Sequence, residues 1–150
     1  MAEATSSSTT MSGRCLCGAV KFTAAPPNRY IGVCHCGMCR RWSAGPFFAL
    51  DCHGTVNVAD PSKLGVYRSS EWAERCFCTG CGTPLFYRLV GKDMYFVSAE
   101  AFDNSDEYTF TSQIFIDEKP SYYDFANKTH MMTGAEVFAA FAPPADGDKT

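Results

Sequence analysis

Seven of the nine cysteines lie in three short clusters, with one or two residues between neighbouring cysteines. The clusters are Cys15 and Cys17; Cys34, Cys36 and Cys39; and Cys78 and Cys81. Thiolates at this spacing can converge on one Zn²⁺ at about 2.3 Å each. They are poorly placed to form disulfides with one another, because a disulfide needs Cα atoms roughly 4.4–6.8 Å apart and a defined torsion. The spacing therefore predicts metal coordination.

The seven sulfurs divide most simply between two zinc ions. A structural zinc is closed by four protein ligands, whereas a catalytic zinc has three protein ligands and one open position. Two cysteine pairs that are far apart in the sequence together supply four sulfurs, and one cluster supplies three sulfurs within six residues. We predict a structural zinc on Cys15, Cys17, Cys78 and Cys81, and a catalytic zinc on Cys34, Cys36 and Cys39. The alternative is that every cluster is structural, with Cys52 or Cys76 completing a second four-cysteine site.

The three histidines are weaker candidates for chemistry. His35 lies between two predicted ligands, where it either carries a proton or contacts the ligand residues from outside the coordination sphere. His53 and His130 have no potential ligand pattern around them, and we expect them in surface or loop positions.

Short strands must position the cysteines. The candidate segments are aromatic or β-branched and are bounded by Gly, Pro, Asn, Asp or Ser. They are Ala19–Thr23, Tyr30–Val33, Pro46–Leu50, Thr55–Val58, Gly65–Ser69, Ala73–Phe77, Leu85–Leu89, Met94–Ser98 and Phe110–Ile116. Helix is predicted over Met38–Trp42 and over Ala135–Phe141, where Val137, Phe138 and Phe141 share one apolar face. The predicted fold is mainly β, with knuckle-like turns carrying the thiolates and a short C-terminal helix.

Length and charge restrict the class of protein. A chain of 150 residues is one ordinary domain in size, which buries roughly two-thirds of its unfolded surface. We expect a disordered tail over 1–11, a single zinc domain over 12–142 and a C-terminal tail over 143–150. The net charge of −3 and the pI near 5.5 argue against nucleic-acid partners, which favour basic surfaces. The sequence shows no apolar run long enough for a membrane span and no secretory signal. Clustered cysteines then predict a cytoplasmic metalloprotein in a reducing compartment.

Three cysteine motifs in this order resemble the glutathione-dependent formaldehyde-activating enzyme family, also called the centromere protein V/Gfa family. The motifs occupy 13–20, 34–41 and 75–85, and the similarity runs from about residue 12 to about residue 125. The resemblance implies a mainly β fold of several small coiled antiparallel sheets around zinc-binding knuckles. It also implies a structural zinc on residues matching Cys15, Cys17, Cys78 and Cys81, and a catalytic zinc on residues matching Cys34, Cys36 and Cys39.

The resemblance implies an activity as well: joining glutathione and formaldehyde into S-(hydroxymethyl)glutathione, or cleaving that adduct as a carbon–sulfur lyase. The partners would be a small thiol and an aldehyde, with glutathione as co-substrate. Arg40 and Arg41 follow Cys39 directly, so we expect either one to offset the negative charge of a three-thiolate zinc site or to bind a glutathione carboxylate. The alternative for one of the two is a solvated arginine on the surface. The alternatives are a non-catalytic zinc-stabilised binding module and a thiol redox or metal sensor. Exposed strand edges make a homodimer a further possibility.

Overall fold

The computed structural model describes residues 10–54 and 56–141. These residues group into two compact units, the first formed by 10–31 and 48–109 and the second by 32–47 and 110–141. The predicted tails fall almost wholly outside the described residues, although a strand already begins at Met11. Thr55, the first residue of one predicted strand, is also outside them. The expectation of a single domain stays a prediction.

Eleven strands and two helices are present in the described part of the chain. The strands are β1 Met11–Arg14, β2 Lys21–Ala24, β3 Tyr30–Cys34, β4 Phe47–His53, β5 Asn57–Val58, β6 Leu64–Arg68, β7 Ala73–Cys78, β8 Pro84–Leu89, β9 Met94–Ser98, β10 Thr109–Ile114 and β11 His130–Met132. The helices are α1 Gly37–Ser43 and α2 Gly134–Phe141. Single turns of 3₁₀ helix cover Pro61–Lys63, Ala99–Ala101 and Ile116–Glu118. The prediction of a mainly β fold with a short C-terminal helix is confirmed.

The first unit contains a small sheet with the strand order β1-β2-β5 and a five-strand run with the order β4-β9-β8-β7-β6. The pairs within both are antiparallel. A tight turn joins β8 to β9, where Gly91 adopts a φ of +79° that costs glycine little. Tyr87 and Phe96 face each other across this hairpin and stack with their ring centroids 4.6 Å apart. A hairpin therefore joins the two strands at Val90–Asp93.

The core of the first unit is aromatic. Phe22 on β2 contacts Phe86 on β8 and Phe102 edge-on, with ring centroids 6.5 Å and 5.4 Å apart. Gly13 on β1 lies so close to the Phe22 ring that a Cβ there would be 2.4 Å from the ring atom Cζ. The two cysteines outside the clusters, Cys52 and Cys76, belong to this core and are fully buried. The packing fixes the two segments that carry the first and third cysteine clusters.

The second unit contains strands in the order β11-β10-β3 and both helices. Strand β11 pairs with β10 in parallel, in contrast to the antiparallel pairing that we expected throughout. Helix α2 begins with a capping box, in which Thr133 Oγ1 accepts from the N–H of Glu136 and Glu136 Oε1 accepts from the N–H of Thr133.

The predicted apolar face of α2 is wrong. Val137 is buried, whereas Phe138 and Phe141 are 57% and 51% exposed. Phe138 makes an edge-on contact with Phe115, with ring centroids 5.7 Å apart. Helical spacing places the three side chains near one another, but only Val137 points into the unit.

Neither α1 nor α2, nor any other helix in the described residues, is long and apolar enough to cross a membrane.

Candidate metal centres

Four sulfur atoms converge in the first unit. They belong to Cys15, Cys17, Cys78 and Cys81, and all lie within 4.8 Å of one another. Cys15 Sγ is 3.6 Å from Cys17 Sγ, and Cys17 Sγ is 3.8 Å from Cys78 Sγ. A tetrahedron of sulfurs at about 2.3 Å from a zinc ion has edges of about 3.8 Å. The donor set and its spacing therefore fit a closed tetrahedral zinc.

Two glycine turns shape this cluster. Gly18 and Gly82 follow the two cysteine pairs and adopt φ angles of +84° and +83°, a region that favours glycine. Backbone N–H groups then point at sulfur: Val20 donates to Cys15 Sγ at 3.3 Å, and Gly80 donates to Cys78 Sγ at 3.2 Å. Such donors stabilise thiolates, which is the form that binds metal.

The pKa values in this cluster follow the same hydrogen bonds. The Thr83 hydroxyl lies 3.1 Å from Cys81 Sγ, and this contact, with backbone N–H groups, lowers the pKa of Cys81 to about 5. Burial opposes ionisation of Cys15, yet the N–H of Val20 and the neighbouring sulfurs leave its pKa below the ordinary value. Ionisation is thus favoured at Cys15 and Cys81 and opposed at Cys17, where a backbone N–H bond is outweighed by contacts with the Cys15 and Cys81 sulfurs that raise the pKa to about 11.

Three sulfur atoms converge separately in the second unit. Cys34, Cys36 and Cys39 have their Sγ atoms within 4.8 Å of one another. Within the described residues, no other His, Cys, Asp or Glu ligand atom joins this group. Contact with the Cys36 and Cys39 sulfurs, together with burial, raises the pKa of the Cys34 thiol. Three adjacent sulfurs become thiolates together only when a cation balances their charge, so this donor set also fits a metal ion.

Local structure holds the three sulfurs in place. Cys34 ends β3, Cys36 is the N-cap of α1, and Cys39 is buried in the first turn of that helix. The Cys36 sulfur accepts from the N–H of Cys39 at 3.4 Å. Glu118 Oε1 accepts from the N–H of Gly37 at 2.9 Å. A strand end and a helix start thus bring together sulfurs that are close in sequence.

His35 is fully buried and bonded through both ring nitrogens. Its Nδ1 is 2.8 Å from the Tyr123 hydroxyl, and its Nε2 is 2.8 Å from Gln113 Oε1. Gln113 is buried in turn and donates through Nε2 to Thr129 Oγ1 at 2.9 Å. Both ring nitrogens of His35 are therefore bonded to residues of the second unit. This agrees with the interpretation in which His35 lies outside the coordination sphere and supports the ligand loop.

The two predicted arginines differ in their surroundings. Arg40 is half-buried and donates through Nε to the carbonyl oxygen of His35 at 2.8 Å. Arg41 is exposed at the end of α1. Both arginines follow Cys39 within two residues in the same helix. The expected charge balance and carboxylate binding stay predictions for both.

The remaining cysteines and histidines lie outside the clusters. Cys52 and Cys76 join neither group of potential ligands, and burial raises their pKa values to about 12 and about 11. His53 and His130 are exposed at a strand end and a strand start, as expected for surface positions. The structure gives no support to a second four-cysteine site completed by Cys52 or Cys76.

Sequence reasoning missed the residues that surround the three-cysteine loop. Gln113, Tyr123 and Thr129 lie 78 to 94 positions after His35 in the chain, and Glu118 lies 81 positions after Gly37. None of them belongs to a motif. The alternation of β10 gives no signal either, because Gln113 shares its strand face with Thr109 and Thr111, which are polar and not buried.

A mainly β fold with one four-cysteine cluster and one three-cysteine cluster defines a class of small proteins built on cysteine knuckles whose sulfurs could hold metal ions. The chain belongs to the GFA family: the profile described as glutathione-dependent formaldehyde-activating enzyme matches residues 10–118. The matched segment contains all seven clustered cysteines, and the resemblance predicted from the three motifs is confirmed.

Individual relatives agree with this assignment. The chain is 43% identical over 126 residues to a Schizosaccharomyces pombe protein named as an uncharacterised lyase, a match that covers 83% of this chain and 92% of the relative. It is 29% identical over 85 residues to a Halomonas elongata protein whose provisional name is glutathione-dependent formaldehyde-activating enzyme, over 51% of this chain and 54% of that protein. A crystal structure of a Rhodobacter sphaeroides protein shares the fold, with a TM-score of 0.56 at 23% identity, covering 65% of this chain and 92% of that one.

Proposed function

We propose that this protein is a zinc-dependent carbon–sulfur lyase that forms and cleaves S-(hydroxymethyl)glutathione, or a closely related thiol–aldehyde adduct. In the forming direction the glutathione sulfur bonds to the carbonyl carbon of formaldehyde, and the carbonyl oxygen gains the proton that the thiol loses. The cleaving direction reverses both changes. No oxidant or reductant is needed, so the reaction balances with these two substrates alone.

The observation that carries the proposal is the difference between the two sulfur clusters. Four sulfurs satisfy a tetrahedral metal, whereas Cys34, Cys36 and Cys39 supply three. A site with three protein ligands retains a coordination position for a substrate. Zinc held there would act as a Lewis acid, favouring the thiolate form of a thiol or polarising a carbonyl. Membership of the GFA family and the names of its relatives support the choice of glutathione and formaldehyde.

The protein's own groups would orient the substrates. Cys39 is buried and Cys36 is partly exposed, so the three-sulfur cluster has one side toward the interior of its unit and one toward solvent. Arg40 and Arg41 carry positive charge beside it, suited to the two carboxylates of glutathione. Holding thiol and aldehyde together replaces a bimolecular encounter, which is a large source of rate enhancement for such an addition. A reducing, cytoplasmic setting is part of the proposal, because the nine cysteines form no disulfides with one another and cysteines outside disulfides persist in such a compartment.

The test follows formation of the hydroxymethyl adduct by NMR, with glutathione and formaldehyde, in the presence and absence of the zinc-loaded protein. We expect exchange between the free and adduct forms to be faster with the protein than without it. Cys36→Ser should lose this acceleration. Cys52→Ala is the matched control, because it removes a thiol outside both clusters and should keep the acceleration.

Metal analysis provides a second arm of the same test. Native mass spectrometry of the wild-type protein should show two zinc ions per chain, and Cys36→Ser should retain one. An adduct exchange rate equal to the uncatalysed rate, in protein that holds two zinc ions, would contradict the proposed activity and favour a binding or sensing role.

A further inference from the structure

We propose that His35 is a positioning residue for the Cys34–Cys39 loop, held in one orientation by a hydrogen-bond chain that runs from Tyr123 through His35 and Gln113 to Thr129. The inference deepens the proposed function, because the loop is the one assigned there to catalysis. Its spectroscopic readouts do not require that activity.

The direction of the chain follows from the two ends of the Gln113 amide. Its Nε2 donates to Thr129 Oγ1 at 2.9 Å, so its Oε1 faces His35 as an acceptor. His35 Nε2 must then carry a proton and donate it. The Tyr123 hydroxyl, 2.8 Å from Nδ1, completes the chain by donating to the ring. Gln113 is 1% exposed and His35 is fully buried, so water does not compete for these bonds.

The backbone of His35 is fixed as firmly as its ring. Its N–H donates to the carbonyl oxygen of Ile114 at 3.1 Å, and its carbonyl oxygen accepts from Arg40 Nε at 2.8 Å. His35 therefore links β3, β10 and α1 at the point where the chain passes from one sulfur donor to the next. The rings of Tyr123 and Phe125 lie 5.6 Å and 6.0 Å from its ring centroid and close the space around it.

This arrangement explains why a histidine suits this position better than an apolar residue. A Leu would fill the same space but would leave the Gln113 oxygen buried without a donor. The bonded ring also sets the rotation of the peptide units on both sides, and these carry Cys34 and Cys36. Small rotations there move the two sulfurs apart, which matters because a three-sulfur site tolerates little spread in its ligand positions.

The first measurement is the protonation pattern of the His35 ring in the zinc-loaded full chain, read from long-range ¹H–¹⁵N NMR correlations. We expect Nε2 to show the protonated, pyrrole-like shift and Nδ1 to show the pyridine-like shift. The opposite pattern would mean that the hydrogen bonds are donated in the direction from Thr129 to Tyr123, which would overturn the proposed direction.

The second measurement tests positioning. The protein is loaded with Co²⁺, whose ligand-field absorption reports the geometry of the three-sulfur site, with Cys36→Ser used to subtract the four-sulfur site. Gln113→Leu should alter this absorption, and Gln113→Glu, which keeps an acceptor facing His35, should restore it. Tyr123→Phe removes one hydroxyl from the partly exposed end of the chain and is the second variant if Gln113→Leu does not fold. An unchanged cobalt spectrum in folded Gln113→Leu or Tyr123→Phe would overturn the positioning role.

The kinetic arm applies where the proposed activity is present. We expect kcat to fall about tenfold in Gln113→Leu, the equivalent of one buried hydrogen bond, while KM for glutathione stays within about twofold. Gln113→Glu should recover most of kcat. A rise in KM alone would assign these residues to substrate binding and overturn positioning. If the wild type shows no activity while the NMR and cobalt results hold, the proposed function fails and the role of His35 stands.

Discussion

Replacing Cys78 by Ser should destabilise the protein far more than replacing Cys36 by Ser. Cys78 is fully buried, its sulfur accepts from the N–H groups of Gly80 and Cys81, and it lies 3.8 Å from Cys17 Sγ. A structural zinc in small domains contributes about 10–16 kcal/mol of apparent binding free energy, which is also folding free energy. Loss of one ligand in four removes about a quarter of it, roughly 2.5–4 kcal/mol.

That loss is large beside the total stability of a domain, about 5–15 kcal/mol. For a chain of this length, 1 kcal/mol shifts Tm by about 2–4 °C, so Cys78→Ser should lower Tm by about 5–16 °C or prevent folding. Cys36→Ser is the matched control. Cys36 is partly exposed and caps α1 through its sulfur, and Ser is itself a good N-cap residue. Its Tm should fall by less than half as much.

The assay is thermal unfolding followed by circular dichroism, with zinc content measured on the same samples. If Cys78→Ser unfolds within about 2 °C of the wild type, the assignment of the four-sulfur cluster to the fold is wrong. The reverse order, with Cys36→Ser the less stable variant, would exchange the roles of the two clusters.

Three further predictions concern other parts of the chain. Gly13→Ala should cost about 1–3 kcal/mol of unfolding free energy, measured by urea titration, because its Cβ would lie 2.4 Å from Phe22 Cζ; an unchanged midpoint would show that the ring has room to move. Cys52 should resist alkylation in the native protein at pH 8 and react in urea. Burial raises its pKa to about 12, so only about one molecule in ten thousand would carry the thiolate at that pH. Rapid labelling of the native protein, measured by mass spectrometry, would contradict its buried position. An arginine that binds a glutathione carboxylate should, when replaced as Arg40→Gln or Arg41→Gln, raise KM for glutathione by up to about tenfold with little change in kcat. The effect should vanish with glutathione diethyl ester as the substrate. An equal effect on the ester would exclude carboxylate binding.

The sequence predicted the clusters because metal ligands that share a knuckle are close along the chain. Cys34 and Cys36 are separated by a single residue, and the other two pairs are each followed at once by a glycine that forms a turn. The longer strands were also predictable, since β8 and β9 are aromatic and bounded by turn residues. Local chemistry was sufficient in each of these cases.

Features that depend on distant partners were not predictable. Strand β1 looks like the end of a tail, and its identity comes from pairing with β2, with Met11 opposite Ala24. Strand β11 has three residues and exists through its parallel pairing with β10. The partners of His35 are equally remote in sequence. The prediction for Phe138 and Phe141 was made from local helical spacing and was wrong. Helical spacing alone cannot tell which side of a short helix packs against its unit.

The separation of the four-sulfur ligands along the chain has a consequence for biosynthesis. Cys17 and Cys78 are 61 residues apart, so bringing them together costs roughly 4 kcal/mol of chain entropy before any bond to metal forms. The second site needs only the six residues from Cys34 to Cys39. A nascent chain emerging from the ribosome therefore presents its three-sulfur loop to the cellular zinc supply well before its four-sulfur site exists. The three-sulfur site proposed for catalysis should therefore be the first complete site to encounter zinc, and the four-sulfur site proposed to stabilise the fold should be the second.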